Sequence, residues 1–281
     1  LSEAVYQRCI DLGVTFEFDT PVEKINHTKT RVTGVTLKTG RIIESSIVVA
    51  NADASLVYNS LLSTKLRKTR SARKRISQST QSLAGFSLLL GLRPDSSATP
   101  LSHHTILFPK DYDAEFDAIF TTRTPVKNPT IYVCAPHDET MVKEAGAQSL
   151  FVLVNAPIHD AAGKSGWNWN DESFNRDYAN SIIDQIESQG ISIRDRLEVL
   201  EIRTPADLER SVSAPGGAIY GTSSNGAKSA FLRARNRSPL KGLYCVGGSA
   251  HPGGGLPLVG LSAEIVANAI GNTQNASRLL H

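Results

Sequence analysis

Cysteine, methionine and tryptophan are scarce in this chain of 281 residues, which contains 3, 1 and 2 of them, respectively. Cys9, Cys134 and Cys245 lie far apart and show neither the spacing of a zinc site nor the density of a disulfide-rich scaffold. The sequence also lacks a run of about eighteen apolar residues, the length that a membrane-spanning helix needs. We therefore expect a reducing, cytoplasmic compartment and, at most, peripheral contact with a membrane.

A large excess of charge of one sign is missing as well. The 30 basic side chains nearly balance the 27 acidic ones and leave a formal net charge of +3. So small a charge argues against a protein that neutralises the phosphates of a nucleic acid. The apolar fraction of 40% is large enough for a sizeable core in one or two domains.

The first part of the chain predicts a helix followed by short strands. The sequence opens at Leu1, without a methionine and inside an amphipathic pattern, so we expect it to begin within a longer protein. Alternating apolar residues on both sides of a turn at Lys38-Thr39-Gly40 predict a hairpin, and the apolar run in Ser46–Asn51 is typical of a strand buried on both faces. The predicted elements are a helix at Ser2–Leu12 and strands at Val14–Phe18, Val22–Ile25, Val32–Leu37, Arg41–Glu44 and Ser46–Asn51.

Basic side chains crowd together just before an apolar run, Leu83–Leu92, and suggest a domain boundary. They form either a solvated helix face or a patch, near this apolar run, that attracts anionic lipid. Trp167 and Trp169 fit an interfacial anchor and a core position equally well. The basic residues are Lys65, Arg67, Lys68, Arg70, Arg73, Lys74 and Arg75.

The middle of the chain mixes strands and helices in a pattern typical of a sheet covered by helices on one face. Proline residues interrupt the connections between these elements. The predicted strands are Thr105–Phe108, Thr130–Cys134 and Leu150–Asn155, and the predicted helices are Asp113–Phe120 and Phe174–Gln189.

A glycine-rich loop, Gly247–Pro257, separates a predicted strand, Leu240–Val246, from a predicted helix, Leu258–Ile270. Five glycines within nine residues remove the Cβ atoms that would hold a flat ligand away from the backbone. Pro252 and Pro257 stiffen the loop, as is typical of a binding site, although a tight strand-to-helix connection is the alternative. The free N–H groups at the start of the helix favour an anion in the same space. The spacing differs from GxGxxG and does not name the ligand.

The run from Leu243 to Pro257, LYCVGGSAHPGGGLP, closely resembles the C-terminal flavin-binding signature of the bacterial and fungal phytoene desaturase family. Further stretches resemble the same family in the same order along the chain. These are Val48–Asp53 (VVANAD), Asp111–Phe120 (DYDAEFDAIF) and Ser149–Asn155 (SLFVLVN). The resemblance covers nearly the whole chain, although the family's N-terminal GxGxxG unit is absent from it.

The resemblance implies an α/β (α+β) flavoprotein of the amine-oxidase-like superfamily. A Rossmann-like FAD-binding domain, lacking its N-terminal βαβ unit here, would comprise residues 1–62 and 211–281. An inserted substrate domain of a mixed sheet and helices would comprise residues 63–210. Without the missing unit, we expect this chain alone to bind FAD poorly. The implied cofactor-binding residues are Val22, beside the adenine, and, beside the flavin, Gly247, Gly248, Ser249, His251, Pro252, Gly253, Gly254, Gly255, Leu256 and Pro257.

The activity that the resemblance implies is removal of hydrogens across C–C single bonds of a long acyclic polyene, with FAD as hydride acceptor. No residue is identified as a general base, and neighbouring double bonds would stabilise developing positive charge, so the protein would contribute positioning and a dry tunnel. The alternatives are a carotenoid isomerase, a desaturase of a hydroxylated or shorter polyene, and a prenyl-lipid carrier without redox chemistry. A lipid-soluble substrate implies peripheral association with the membrane.

Other candidate residues have simpler explanations. His103 and His104 are adjacent, so on a strand they would point to opposite faces, and neither a carboxylate nor a cysteine completes a metal-binding set in the sequence. We therefore predict no metal site. The carboxylates of the Asp113–Asp117 segment, including Glu115, fit a solvated helix face better than a pair for acid-base chemistry. Ser249 and His251 are too close in sequence for a hydrolytic triad, and no GxSxG elbow is present.

Overall fold

A computed structural model of the chain describes residues 1–96, 101–223 and 233–278, with side chains as far as residue 271. Its strands form a three-stranded, a two-stranded and a five-stranded sheet. The strands are β1 (Val22–His27), β2 (Val32–Leu37), β3 (Ile42–Glu44), β4 (Val48–Ala50), β5 (Ala84–Leu92), β6 (His104–Leu107), β7 (Ile131–Cys134), β8 (Gln148–Ala156), β9 (Leu197–Arg203) and β10 (Leu243–Cys245).

Helix α5 (Glu172–Glu187) packs on the five-stranded sheet, and several shorter helices in this part of the chain adjoin single turns of 3-10 or π type. None of the helices among these residues has both the length and the apolar character needed to cross a bilayer. The helices are α1 (Ser2–Asp11), α2 (Ala54–Leu56), α3 (Arg70–Ser77), α4 (Asp113–Phe116), α5 (Glu172–Glu187), α6 (Pro205–Val212) and α7 (Leu256–Arg278).

The five-stranded sheet is antiparallel, with strand order β6-β7-β8-β5-β9. Every second side chain of β5 is buried, because successive side chains of a strand point to opposite faces. Helix α5 covers this buried face. Its first turn is capped by Asp171, whose carboxylate accepts a hydrogen bond of 3.0 Å from the Phe174 backbone N–H. Side chains of α5 spaced three and four residues apart complete the core, namely Tyr178, Ala179, Ile182, Ile183 and Ile186.

The apolar run predicted at Leu83–Leu92 is therefore an inner strand, paired on both sides, and its buried face belongs to a core. Trp169 is likewise a core residue, with its ring 5.4 Å from that of Phe86 and its indole N–H donating to the Pro157 carbonyl at 2.9 Å. Trp167 packs half-buried against the same core.

A second core joins the three-stranded and two-stranded sheets. Strands β1 to β3 form an antiparallel meander, and β4 pairs in parallel with β10. Ile25, Val32, Val57 and Leu243 are all buried in this core, which also includes Leu66. The two cores contain different stretches of the chain, and the domain limits at residues 62 and 210 remain a prediction.

Two expectations about the first fifty residues are wrong. Val14–Phe18 is not a strand; Phe16 packs instead on Tyr6 and Phe18, with ring centroids 4.7 and 5.7 Å away, respectively. The strand predicted at Ser46–Asn51 shortens to β4, and Val49 is 47% exposed. At Val14–Phe18, aromatic contacts between side chains close in sequence replace backbone pairing. Strand β4 is buried on the face of Ala50 and exposed on the face of Val49.

Candidate functional site

The glycine-rich loop connects β10 to α7, and the structure confirms the predicted order of strand, loop and helix in this region. Helix α7 begins at Leu256, two residues before the predicted start. Its apolar side chains are buried only in part: Val266 and Ala269 are buried, whereas Leu258 and Leu261 are exposed. The loop therefore ends at an exposed helix start.

Two of the loop glycines leave space for atoms of the protein itself. A Cβ at Gly247 would overlap the Asn51 side-chain oxygen, and a Cβ at Gly254 would overlap the Tyr220 ring. Tyr220 itself has a positive φ of 67°. The absence of side chains at these positions lets the loop pack closely on two other segments, so packing explains much of the glycine pattern.

Gly255 is different, because a Cβ at this position would meet nothing within 4 Å. Its φ of +93° lies in the left-handed region, which favours glycine. Leu256, the next residue, is 77% exposed, and the first N–H groups of α7 have no carbonyl of a preceding helical turn to bond. The loop thus presents open backbone at a helix N-terminus, where a flat ligand carrying negative charge would be favoured.

Hydrogen bonds hold the loop from both sides. The Ser249 hydroxyl oxygen accepts from the Ala54 backbone N–H at 3.0 Å, which ties the loop to the start of α2. The Asn236 side-chain amide donates to the Cys245 and His251 carbonyls, at 3.2 and 2.8 Å, and lies 3.0 Å from the Ser262 hydroxyl. Because these contacts reach the strand, the loop and α7 together, the loop conformation is set before any ligand binds.

Arg233 lies behind the loop and is only 4% exposed. Its guanidinium donates to the carbonyls of Tyr220 and Gly248 at 2.9 and 2.8 Å. Burial lowers the pKa of Arg233 from its usual value, which is so high that the group keeps its charge. A Cβ at Gly253 would lie 3.3 Å from its Nε. Arg233 therefore brings a buried positive charge to the back of the loop.

The strand that enters the loop carries a thiol, Cys245, which is fully buried. Burial raises its pKa to about 11, with a smaller contribution from the charge of Asp53. Burial also raises the pKa of the neighbouring Tyr58 phenol. Both groups stay protonated near neutral pH, so neither is a nucleophile or a base there. Among the described residues beside the loop, no histidine-serine-carboxylate constellation forms, because Ser249 is engaged with the backbone of α2.

Val22, the predicted adenine contact, begins β1 and pairs with Leu37 in the three-stranded sheet. Its side chain is partly exposed, at 38%. The glycine-rich loop follows the two-stranded sheet, and the two regions share the core that contains Ile25 and Leu243. The role of Val22 remains a prediction.

The expectation of a solvated acidic helix face is wrong at Glu115, which is completely buried. One carboxylate oxygen accepts from the Thr130 backbone N–H at 2.7 Å and the other from the Asn155 amide at 2.8 Å. Asp113 and Asp117 are exposed, as expected. Glu115 therefore ties α4 to β7 and β8. The alternation of charged and apolar residues gave no sign of this, because Thr130 and Asn155 lie far away in sequence.

The predicted basic run lies on α3 and the turn before it. Arg73 is structural, because its guanidinium donates to the Thr69 hydroxyl and the Thr64 carbonyl, both at 2.6 Å. Arg75 is half-buried beside a cavity of about 350 Å³. The remaining members of the run are exposed, namely Lys65, Arg67, Lys68, Arg70 and Lys74.

Sequence reasoning did not single out the groups that position the loop. Asn51 lies within the VVANAD stretch and Tyr220 precedes a glycine, but neither pattern shows that it will lie against residues 247–254. Arg233 and Asn236 carry a clearer signal. They belong to a stretch that is rich in polar and basic residues and that precedes a buried strand. Polar side chains next to such a strand and its loop indicate hydrogen bonds to the loop backbone.

Comparison with solved structures identifies a protein that shares the fold. An oxidoreductase from Methanosarcina mazei shares the fold with a TM-score of 0.61 at 16% identity, over 95% of this chain and 53% of that chain. At this identity the likeness shows the fold alone. The chain thus has a mixed α/β fold that carries a glycine-rich loop at the start of a helix.

Sequence comparison gives the family. The 1-hydroxycarotenoid 3,4-desaturase of Flavobacterium sp. (strain P99-3) is 34% identical over 97% of this chain and 54% of its own length. The hydroxyneurosporene desaturase of Rubrivivax gelatinosus is 33% identical over 92% of this chain and 47% of its own length. The 4,4'-diapolycopene oxygenase of Methylomonas sp is 29% identical over 96% of this chain and 53% of its own length. The chain belongs to the carotenoid desaturase and oxygenase family, and it spans about half the length of these curated relatives. No protein-family model matches the chain.

Proposed function

We propose that this chain is part of an FAD-dependent enzyme that desaturates an acyclic carotenoid. The observation that carries the proposal is the glycine-rich loop. It packs closely against Asn51 at Gly247 and against Tyr220 at Gly254, and it leaves open space at Gly255. A loop that only connects a strand to a helix does not require both close packing at Gly247 and Gly254 and open space at Gly255. The residues proposed to hold the cofactor are those of the loop, Gly247–Pro257, and Val22 from the three-stranded sheet.

The charges around the loop suit a flavin. When bound, FAD would supply a hydride acceptor, and negative charge develops on the ring system as it is reduced. The N-terminus of α7 begins at the end of the loop, and the buried Arg233 guanidinium donates to the Gly248 carbonyl behind the loop. Both bring positive charge that would favour the reduced ring system. The buried thiol of Cys245 and the Tyr58 phenol stay neutral and do not oppose it.

The five-stranded sheet offers an apolar surface for the polyene. Helix α5 covers one face, and the other face carries a groove of about 470 Å³. Leu89, Gly91, Met141 and Val199 give this groove its apolar part, and Lys143, Glu144 and Glu198 add charged groups to its lining. Val199 and Met141 are half exposed, at 48% and 54%. Polyenes have no groups that need hydrogen bonds, so an open apolar face is the kind of surface that they fit.

A hydroxylated acyclic carotenoid is the second candidate substrate beside a phytoene-type hydrocarbon. Two relatives above 30% identity act, by their names, on 1-hydroxycarotenoid and hydroxyneurosporene.

We also propose that the exposed basic residues of α3 and its preceding turn hold the protein against anionic lipid, since the substrate is dissolved in the bilayer. Peripheral membrane binding on the cytoplasmic side would follow.

The test uses the intact protein that contains this chain, with FAD and with phytoene or a hydroxylated carotenoid in vesicles. We expect FAD-dependent absorption bands at longer wavelength as conjugation extends. Val199→Glu adds a carboxylate beside the apolar part of the groove and should lower kcat/KM by at least about tenfold, since about 1.4 kcal/mol of lost binding suffices. Val212→Glu alters an exposed valine of α6 and is the matched control, with kcat/KM expected to remain unchanged.

The outcomes separate the alternatives. Bands with the hydroxylated substrate alone would assign the narrower specificity. Bound flavin without new bands would favour an isomerase or another polyene, and would contradict the proposed reaction. An intact protein that binds no flavin would contradict the cofactor as well, and would favour a carrier that kept only the fold.

A further inference from the structure

Two histidines and a cysteine come together at the edge of the five-stranded sheet. A ring nitrogen of His103, a ring nitrogen of His104 and the Cys134 sulfur all lie within 4.8 Å of one another. The pairing of β6 with β7 places His104 opposite Cys134. The expectation that no cysteine completes a set with these histidines is therefore wrong, because the third group comes from a neighbouring strand.

The two histidines also do not point to opposite faces. Strand β6 begins at His104, and His103 lies in a bend just before it, so the alternation of a regular strand does not apply. Their ring centroids are 4.3 Å apart. The His103 carbonyl accepts a hydrogen bond of 2.9 Å from the Ala135 N–H, which ties the bend to the end of β7. Backbone pairing thus holds all three residues in place.

Tyr132 adds a partner outside this set. Its hydroxyl lies 2.8 Å from His104 Nδ1. The contact helps to fix the plane of the His104 ring. Metal-binding histidines are typically oriented by such a hydrogen bond to their other ring nitrogen.

We propose that His103, His104 and Cys134 form a binding site for Zn²⁺ or a similar late transition-metal ion. Imidazole nitrogen and thiolate sulfur are the donors that such ions prefer. Tetrahedral bonds of about 2.0–2.3 Å place two donors about 3.3–3.6 Å apart, so the three atoms must approach by about 1 Å. Both histidines are exposed, and rotation of their side chains provides this movement without a change in the strands.

A fourth nitrogen lies within reach. The ring of His137, an exposed residue just after β7, has its centroid 6.3 Å from that of His103. His137 or a water would complete the tetrahedron. Binding replaces the thiol proton of Cys134 by the ion and releases that proton to solvent, so affinity should rise with pH.

The experiment adds Zn²⁺ to the intact protein, removes unbound metal and measures retained zinc and its X-ray absorption. We expect one zinc per chain from this site and a sulfur scatterer at about 2.3 Å. Cys134→Ser should abolish the sulfur scatterer, whereas Cys9→Ser, which removes a half-exposed thiol of α1, should leave it unchanged. Tyr132→Phe should weaken binding by about 10- to 100-fold, as loss of an orienting partner does, and Tyr112→Phe is its exposed control.

His103→Gln lies outside the strands and tests the site should Cys134→Ser fail to fold, as judged by circular dichroism. It should weaken zinc binding by at least as much as Tyr132→Phe. Protein that retains no zinc, zinc bound without sulfur, or equal retention by the wild type and Cys134→Ser would each overturn the proposal. None of these outcomes bears on flavin binding, since the glycine-rich loop is contributed by other strands.

Discussion

The five-stranded sheet and the glycine-rich loop are held in place by different means. The sheet region depends on large apolar side chains such as Phe86 and Trp169, which fill a core under α5. The loop depends on the absence of side chains at Gly247 and Gly254, and on hydrogen bonds from groups such as Asn236. Substitutions that remove side-chain atoms should therefore have their largest effect on the stability of the sheet region. Substitutions that add side-chain atoms should have their largest effect on the loop.

The largest expected effect comes from emptying the core of the sheet region. Trp169→Ala removes a fully buried ring that contacts Phe86 and Tyr178, and should cost about 3–5 kcal/mol of unfolding free energy. Trp167→Ala removes a half-buried ring from the same region and should cost less than about 3 kcal/mol. Urea unfolding of the intact protein, followed by circular dichroism, measures both. Equal losses would show that the core does not depend on Trp169 as described.

A smaller effect is expected from adding one carbon to the loop. Gly254→Ala would drive a Cβ into the Tyr220 ring, and overpacking of this kind costs about 1–3 kcal/mol. Flavin affinity of the intact protein, measured by fluorescence titration, should fall by about 10- to 100-fold. Gly260→Ala is the matched control, because a Cβ there meets nothing within 4 Å and lies on α7, where alanine favours the helix.

Tyr220→Ala provides the decisive comparison for that result. It removes the ring atoms that the new Cβ would meet, so the double variant Tyr220→Ala/Gly254→Ala should recover most of the lost affinity. Failure to recover would mean that Gly254 is needed by the ligand itself rather than by the packing of the loop.

The smallest effect concerns a helix cap in the sheet region. Burial acts to raise the pKa of Asp207, but hydrogen bonds from the Thr204 backbone and hydroxyl outweigh it and hold the pKa below its usual value. Because the folded pKa is the lower one, the stabilisation is present above the unfolded pKa of about 3.9 and is lost as pH falls through the folded value.

Asp207→Asn should accordingly cost up to about 1 kcal/mol at neutral pH, and the difference from wild type should shrink below about pH 4. Unfolding by urea at both pH values measures this. Asp177→Asn on the exposed side of α5 is the control. A difference that grows on acidification would contradict the role assigned to the Asp207 carboxylate.

Local patterns predicted much of the fold. The hairpin at Lys38-Thr39-Gly40, with Gly40 at a φ of +85°, and helix α5 follow from turn residues and apolar spacing within a few positions. The order of β10, the loop and α7 follows in the same way. The family emerged from the residues of the loop and from stretches that resemble known relatives, rather than from periodicity.

The sequence did not predict features that depend on distant partners. Glu115 resembles its exposed neighbours Asp113 and Asp117, and is buried only because Thr130 and Asn155 come to meet it. His104 and Cys134 meet for the same reason, through a pairing of strands that no local pattern gives. The open space at Gly255 also depends on the folded surroundings of the loop.

The hydrogen bond between Ser249 and Ala54 has a consequence for the order in which the protein folds. The two residues are 195 positions apart in sequence, and β4 and β10 pair across a similar distance. Closing so long a segment costs conformational entropy, and contacts of this kind form slowly. Folding of the five-stranded sheet, which lies within that segment, brings the two ends nearer. We therefore expect the loop to take its shape late, after the sheet, so refolding kinetics should show its formation as a slow final phase.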